Sequence, residues 1–247
     1  MEPVDLARAF VAERFPDVEA AFLAGSVAAN QATASSDLDI VVVQGDRSAE
    51  TYRETVRYGG RLVELFAHTS ATFIELWDAD VASRRAIMPT MYASGIVLAS
   101  RDGRAEALQA EARRVVEAGP PPVDPQTLET WRYGLTDALD DLADLTDRYE
   151  IAACAAVVLE QAGDLLCTRA KWWIGRGKWL PRRLLEADPY QGGRLLKGFG
   201  DAASPARGRE LLIEAACDAL NACEGPVREG YRRTWRGVVE SEATGVR

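Results

Sequence analysis

The segment FLAGSVAANQATASSDLDIVVV, residues 22–43, constrains the fold more than any other part of the sequence. It joins two apolar runs, residues 18–24 and 37–44, that are rich in the branched and aromatic side chains typical of strands. The second run is continuous enough to be a buried central strand. Gly25 and Ser26 end the first run, and glycine there permits a tight turn with close approach of the backbone to a bound anion.

Two acidic residues begin the second of these strands. Asp37 and Asp39 project to the same side, because side chains alternate along a strand. Like charges held so close favour a cation between them, and carboxylate oxygens suit Mg²⁺. A third strand, residues 61–68, carries Glu64 between apolar neighbours, so this charge should be functional or lie at the rim of the sheet.

The rest of residues 1–118 predicts helices alternating with short strands around a small sheet. We expect a further strand at residues 95–100 and helices at residues 3–15, 47–58, 70–94 with a break near Pro89, and 103–118.

A proline-rich connector, residues 119–125, separates this part from residues 126–247, which look helical throughout. Asp124 and Pro125 have the pattern of a helix cap followed by proline in the first turn. Residues 128–149 carry apolar side chains at alternating spacings of three and four, which predicts one amphipathic helix. Further helices are expected in a bundle, at residues 151–174, 182–186, 206–223 and 227–239.

Composition limits the classes of function. The net charge of −9 and a pI near 4.9 argue against nucleic acid as a partner. No run of about 18 apolar residues and no signal sequence is present, so we expect a cytoplasmic protein without a membrane partner. Four cysteines without C-x-x-C spacing predict reduced packing residues, and His68 is the only histidine, so carboxylates must carry any acid–base chemistry.

The combination of Gly25-Ser26, an eleven-residue step to Asp37, the D-x-D pair and Glu64 on a later strand resembles the DNA polymerase β-like nucleotidyltransferase superfamily. A small catalytic domain followed by a helical bundle is similar to the kanamycin nucleotidyltransferase group and related aminoglycoside adenylyltransferases. The resemblance covers residues 22–66 closely and is architectural beyond them. It implies an α+β chain, with a small mixed-sheet nucleotidyltransferase domain at 1–118, a linker at 119–125 and an all-α bundle at 126–247 that binds the substrate or a partner.

The resemblance also implies roles for individual residues. Asp37 and Asp39 would hold Mg²⁺, with two ions expected, and Gly25, Ser26 and Ser36 would bind the nucleotide. Glu64 would complete the metal site or activate the acceptor hydroxyl.

The reaction implied is transfer of a nucleoside monophosphate, AMP from ATP or the equivalent from another nucleoside triphosphate, to a hydroxyl of a small molecule such as an aminoglycoside-like compound. Two alternatives stay open: AMP transfer to a protein, as in the antitoxin-type members, and a non-catalytic nucleotide-binding regulatory module. The family analogy suggests a homodimer.

Three weaker signals complete the set of candidate residues. Asp137 and Asp141, near the edge of the apolar stripe, are candidates for acceptor recognition or for the general base, although an acidic helix face is more often solvated surface. Residues 169–197 hold eight basic and two acidic side chains, which suits phosphate contact, while the tryptophans there favour packing. Paired arginines at 84 and 85 stay outside the candidate site, and His68 is not expected to be catalytic.

Overall fold

The computed structural model describes residues 1–33, 35–45, 50–202, 204 and 208–234. The chain forms two compact units: Met1–Val123 with Leu166–Gly193, and Asp124–Leu165 with Arg194–Arg247. The break after Val123 lies inside the expected linker. Residues 166–193, which the sequence placed with the helical bundle, belong instead to the first unit.

A five-stranded mixed sheet forms the centre of the first unit, in the order β3-β4-β2-β1-β5. The pairing of β2 with β4 is parallel, and the other three pairings are antiparallel. The strands are β1 (Val18–Ala24), β2 (Leu38–Gln44), β3 (Tyr52–Tyr58), β4 (Arg61–Thr69) and β5 (Ile96–Ser100).

Helices cover both faces of this sheet. They are α1 (Pro3–Arg14), the short α2 (Gly25–Ala28), α3 (Thr72–Ala82), α4 (Ile87–Ser94) and α5 (Arg104–Ala118). Apart from α2, they agree with the expected helices to within a few residues, although the break expected near Pro89 lies at residues 83–86 and Pro89 is inside α4. Alternate residues of β2 face opposite cores: Ile40 and Val42 pack in the cluster that contains α1, whereas Val41 and Val43 pack in the cluster that contains residues of α3, α4 and α5. Alternation places Asp39 on the same side of β2 as Val41.

One sequence prediction in this unit is wrong. We expected a helix at residues 47–58, but Tyr52–Tyr58 is β3, an outer strand paired with β4. Its side chains alternate between half-buried and exposed along the whole strand, which is the period of two of a strand with one solvated face. Residues 46–49 lie outside the described residues.

Within the first unit, specific hydrogen bonds hold residues 166–193 against residues 1–123. The fully buried Trp173 donates its indole N–H to the carbonyl of Val116 at 2.9 Å. The amide of Ile174 donates to the carbonyl of Arg84 at 2.9 Å. This segment then forms α8 (Trp179–Ala187), which is longer than the helix expected at 182–186.

The second unit contains helices, as expected, but the single helix predicted over residues 128–149 ends at Asp144, and a new helix begins at Arg148. The helices are α6 (Pro125–Asp144), α7 (Arg148–Arg169), α9 (Pro189–Ala202) and α10 (Glu210–Asn221), of which α7 and α9 continue into the first unit. The predicted cap is confirmed, because the Asp124 carboxylate accepts a hydrogen bond from the amide of Thr127 at 2.9 Å. The sequence missed α9. The helix expected at 227–239 is not formed in its described part, residues 227–234, and the rest lies outside the described residues.

Two further expectations concern the cysteines and the membrane. No disulfide joins the four cysteines, and Cys167 and Cys223 are buried, which agrees with a packing role. Among the described helices, α7 is long and apolar enough to cross a membrane by length and composition. Half of its apolar window is buried inside the fold. A core helix of a soluble protein passes the same test, so this is weak evidence for a span.

Candidate active site

The acidic residues of the two parallel strands meet directly. In the register of β2 with β4, Asp39 lies beside Glu64. On its other side β2 pairs antiparallel with β1, so Asp39 lies opposite Ala24, the residue before Gly25. The Gly25-Ser26 turn and the two carboxylates, which are far apart in sequence, therefore occupy one end of the sheet.

Gly25 is required by the geometry of this turn. Its φ is +66°, a backbone conformation that side chains other than glycine rarely adopt. A Cβ at this position would overlap Oδ2 of Asp39 and lie 2.7 Å from its Cγ. The absence of a side chain thus allows the Asp39 carboxyl to lie against the backbone that begins α2.

The electrostatic environment of Asp39 is unusual. Burial, a hydrogen bond to Glu64 and the nearby charges of Glu64 and Asp37 together raise the pKa of Asp39 from 3.8 to about 6. The positive charge of Lys178 acts in the opposite direction. The carboxylates are therefore close enough to repel one another, and Asp37 contributes to this repulsion, as the D-x-D spacing predicts.

Arg53 contacts the third acidic residue. Its guanidinium forms an ion pair with Glu64, with a hydrogen bond from Nε to Oε1 of 3.1 Å, and lies over the ring of Phe66 at 4.9 Å. Arg53 comes from β3, the strand that the sequence predicted as a helix. Once β3 is correctly placed next to β4, alternation brings Arg53 to the face that carries Glu64.

A cavity of about 380 Å³ opens over these residues, and all the residues that line it belong to the first unit. Gly25, Ser26, Asp39 and Glu64 form part of its wall. The remaining wall is partly apolar and strongly basic. It consists of Ala29, Arg53, Phe66, Arg85, Ile87, Thr90, Met91, Ser94, Ile174, Gly175, Arg176, Lys178, Trp179, Arg182 and Arg183.

The basic wall comes mainly from residues 174–183, the loop before α8 and its first turns. Gly175 has no room for a side chain, because a Cβ there would lie 2.6 Å from the carbonyl oxygen of Trp179. Trp179 stacks under the guanidinium of Arg182 at 4.8 Å. The buried Arg183 is hydrogen-bonded to Glu186 at 2.7 Å and to Thr90 of α4 at 3.4 Å. The sequence shows that this stretch is basic, but only the tertiary contacts show that it lines the cavity.

Arg84 holds the neighbouring part of the wall. Its buried guanidinium donates hydrogen bonds to the carbonyl of Pro121 and, at 3.3 Å, to the hydroxyl of Thr168. Both Arg84 (φ +60°) and Ala86 (φ +48°) adopt left-handed conformations, on either side of Arg85. Such strain persists only where the surroundings fix it. We did not include Arg84 and Arg85 in the candidate site from the sequence. In the structure, Arg84 connects three segments of the first unit through its hydrogen bonds, and Arg85 lines the cavity.

The other predicted residues lie elsewhere. The hydroxyl of Ser36 accepts from the amide of Thr33 at 2.9 Å, and Ser36 does not line the cavity. Asp137 and Asp141 lie on α6 in the second unit and are not among the lining residues either. His68 is buried, and one ring nitrogen lies 2.9 Å from the hydroxyl of Tyr92. Burial lowers the pKa of His68 from 6.5 to about 4, so this histidine is a neutral core residue.

Among the described residues, no three carboxylate, cysteine or histidine side chains are grouped tightly enough to hold a metal ion as they stand. The donor chemistry nevertheless suits a hard cation. Asp39 and Glu64 are adjacent and mutually repelling, with Asp37 close enough to raise the pKa of Asp39. A divalent cation between oxygen ligands would remove that repulsion.

A small mixed sheet with paired carboxylates beside a glycine turn and a basic wall is an arrangement suited to binding phosphate groups. Residues 4–76 match the family model of the nucleotidyltransferase domain. This part of the chain therefore belongs to the nucleotidyltransferase superfamily, whose domain implies transfer of nucleotidyl groups from a nucleoside triphosphate.

Comparison with solved structures gives a nucleotidyltransferase-like protein from Exiguobacterium sibiricum, with 12% identity and a TM-score of 0.43. The match covers 90% of this chain and 74% of that one. No curated protein sequence matches the chain. The family assignment depends on residues 4–76 and not on this overall likeness.

Proposed function

We propose that this protein transfers a nucleoside monophosphate, AMP from ATP, to a hydroxyl of a small molecule. The observation that carries the proposal is the cavity in which the carboxylates of Asp39 and Glu64, the Gly25-Ser26 turn and a basic wall face the same space. Carboxylates that hold Mg²⁺ and cations that hold phosphates are the two requirements of phosphoryl-group chemistry. A cavity of 380 Å³ is of the size usual for small-molecule ligands.

The phosphates are assigned to the Gly25-Ser26 turn and to the wall formed by residues 174–183. The backbone amides of the turn and the Ser26 hydroxyl are donors for an anion. Lys178 and Arg182 supply charge from a distant part of the chain, and Lys178 is close enough to Asp39 to affect its pKa. Charges fixed in place before the substrate arrives stabilise developing negative charge without reorganisation.

We assign metal binding to the carboxylates at the end of the sheet. Asp39 and Glu64 would hold Mg²⁺ together with Asp37, and two ions are proposed. When bound, Mg²⁺ would neutralise charge on the reacting phosphate and polarise it for attack. Glu64 is also the carboxylate that we assign to the acceptor hydroxyl as base, since it lines the cavity and Asp137 and Asp141 do not.

The test is transfer of label from α-labelled ATP in the presence of Mg²⁺ and a panel of hydroxylated metabolites, with pyrophosphate release measured in parallel. We expect Asp39→Asn to abolish both signals. Asp78→Asn, which removes an exposed carboxylate from α3, is the matched control and should leave them unchanged. Pyrophosphate release that survives in Asp39→Asn would overturn the proposal. Label appearing on protein and on no small molecule would favour the protein-modifying alternative.

A further inference from the structure

Arg53 reaches Glu64 from the outer strand of the sheet. In the register of β3 with β4, Arg53 lies opposite Phe66. Glu64 is two residues before Phe66 on β4, and residues at alternate positions of a strand share a face. The guanidinium, the Phe66 ring and the Glu64 carboxylate therefore lie on the same side of the sheet. The contact follows from the pairing of two strands.

Two nitrogen atoms of the guanidinium donate to a single oxygen of the carboxylate. Nε and Nη2 of Arg53 both donate to Oε1 of Glu64, the former at 3.1 Å. The guanidinium also lies over the Phe66 ring at 4.9 Å, which favours this position of the arginine side chain. Both charged residues line the cavity, and the Arg53 side chain is 64% exposed. One oxygen of Glu64 is thus held by a cation that solvent can reach.

A divalent cation would compete with Arg53 for Glu64. Mg²⁺ requires nearly octahedral coordination with oxygen ligands at about 2.0–2.1 Å. A carboxylate oxygen accepts through about two lone pairs, and at Oε1 of Glu64 two donors of Arg53 already occupy them. Mg²⁺ must therefore either displace Arg53 from Oε1 or bind at Oε2. The first arrangement loses an ion pair, and the second places two cations on one carboxylate, so Arg53 opposes metal binding in both.

The same contact reduces the repulsion between the two neighbouring acids. Asp39 and Glu64 repel one another, and this repulsion contributes to the raised pKa of Asp39. The positive charge of Arg53 on Glu64 offsets part of it, and Lys178 acts on Asp39 in the same direction. Each of the two carboxylates therefore has a cationic side chain of the protein acting on it before a metal ion arrives.

We propose that Arg53 acts on the metal site through Glu64, and that its positive charge there lowers the affinity of the two carboxylates, Asp39 and Glu64, for divalent metal ions. The inference rests on the metal assignment made in the proposed function. Removing the charge should then tighten metal binding. If Arg53 served only to orient Glu64 for coordination, its removal would loosen metal binding instead. The sign of the change separates the two roles.

The test is titration of Mn²⁺, a paramagnetic probe of the Mg²⁺ site, into the full chain without nucleotide. Free Mn²⁺ is measured by electron paramagnetic resonance. We expect Arg53→Gln to bind Mn²⁺ about three- to tenfold more tightly than the wild type at low ionic strength. The difference should shrink at high ionic strength, because salt screens exposed charges. Arg53→Lys keeps the positive charge and should bind within about twofold of the wild type.

Arg57→Gln is the matched control for the loss of one positive charge. Arg57 is an exposed arginine on the same face of β3, and it lies about 13 Å from Arg53 along the strand. Its guanidinium donates to the carbonyl of Gly60 at 3.2 Å. Arg57→Gln should leave the affinity for Mn²⁺ unchanged. Asp39→Asn should weaken binding at least about tenfold, which shows that the ion measured is the one at the carboxylates.

The outcomes separate the inference from the proposed function. Equal or looser binding in Arg53→Gln would overturn the inference alone. An equal gain in Arg57→Gln, or a gain in Arg53→Lys as large as in Arg53→Gln, would do the same. Absence of Mn²⁺ binding in both the wild type and Arg53→Gln, or binding that Asp39→Asn does not weaken, would overturn the metal assignment of the proposed function itself.

Discussion

Replacing Gly25 by alanine tests the link between the turn and the carboxylates. The new Cβ would lie 2.7 Å from Cγ of Asp39, whereas carbon atoms in contact are about 3.5–4.0 Å apart. The Asp39 carboxyl must therefore move by about 1 Å. A displacement of about 1 Å of a catalytic group in an active site can reduce the reaction rate on the order of 100-fold.

The same substitution also strains the backbone. At φ +66°, alanine costs roughly 1–2 kcal/mol relative to glycine, which lowers the Tm of a chain of this length by a few degrees. Gly60→Ala is the matched control, because Gly60 has φ +85° and a Cβ at that position would meet nothing within 4 Å. The two variants share the strain, and only Gly25→Ala displaces Asp39.

The assay is pyrophosphate release from ATP and Mg²⁺ with the acceptor that the labelling panel identifies, together with thermal unfolding. We expect similar losses of Tm in both variants, and a loss of rate on the order of 100-fold in Gly25→Ala alone. Equal rates in the two variants would refute the reasoning, because the position of Asp39 would then not depend on the side chain missing from residue 25.

Three other predictions concern stability. Because the pKa of Asp39 is raised to about 6, its ionisation opposes folding as pH rises through that range. Asp39→Asn should thus raise the Tm at pH 7.5 in chelator and have little effect at pH 4. The pKa of His68 is lowered from 6.5 to about 4, so the free energy of unfolding should decrease as the pH drops from 6.5 through 4, by about 3 kcal/mol in total. His68→Phe should flatten this dependence and, by removing the partner of Tyr92, lower the Tm at pH 7 without changing nucleotide affinity. Arg84→Met should cost about 1–3 kcal/mol in unfolding experiments, because Thr168 and a carbonyl lose their donor, and an unchanged Tm would contradict the role of Arg84 in connecting these segments.

The sequence predicted the carboxylate end of the sheet well, because those signals are local. Alternation along a single strand places Asp37 and Asp39 on one side, and the glycine turn follows directly from the first strand. The residues of β1 were predicted without error, and those of β2 and β4 to within one residue. The error at residues 47–58 had a local cause too, since the alternating charged and uncharged residues of an outer strand can be read as a polar helix.

The basic wall could not be placed from sequence, because its position depends on contacts across long separations. Trp173 reaches Val116, and Ile174 reaches Arg84, about 60 and 90 residues away along the chain. The sequence shows the positive charge of residues 169–197, but it does not show which part of the chain these residues pack against. The three apolar tryptophan rings there suggested bundle packing, whereas Trp173 is buried in the first unit and Trp179 lines the cavity.

The discontinuity of the first unit has a consequence for biosynthesis. Its two pieces, residues 1–123 and 166–193, are separated by the whole of residues 124–165. The ribosome must therefore release α6 and most of α7 before the cavity can acquire its basic wall. Domains tend to fold as units during synthesis. The cavity of the nascent sheet therefore lacks its basic wall until residues 166–193 have emerged. A fragment ending at the proline connector would keep Asp39 and Glu64 but lack Lys178 and Arg182.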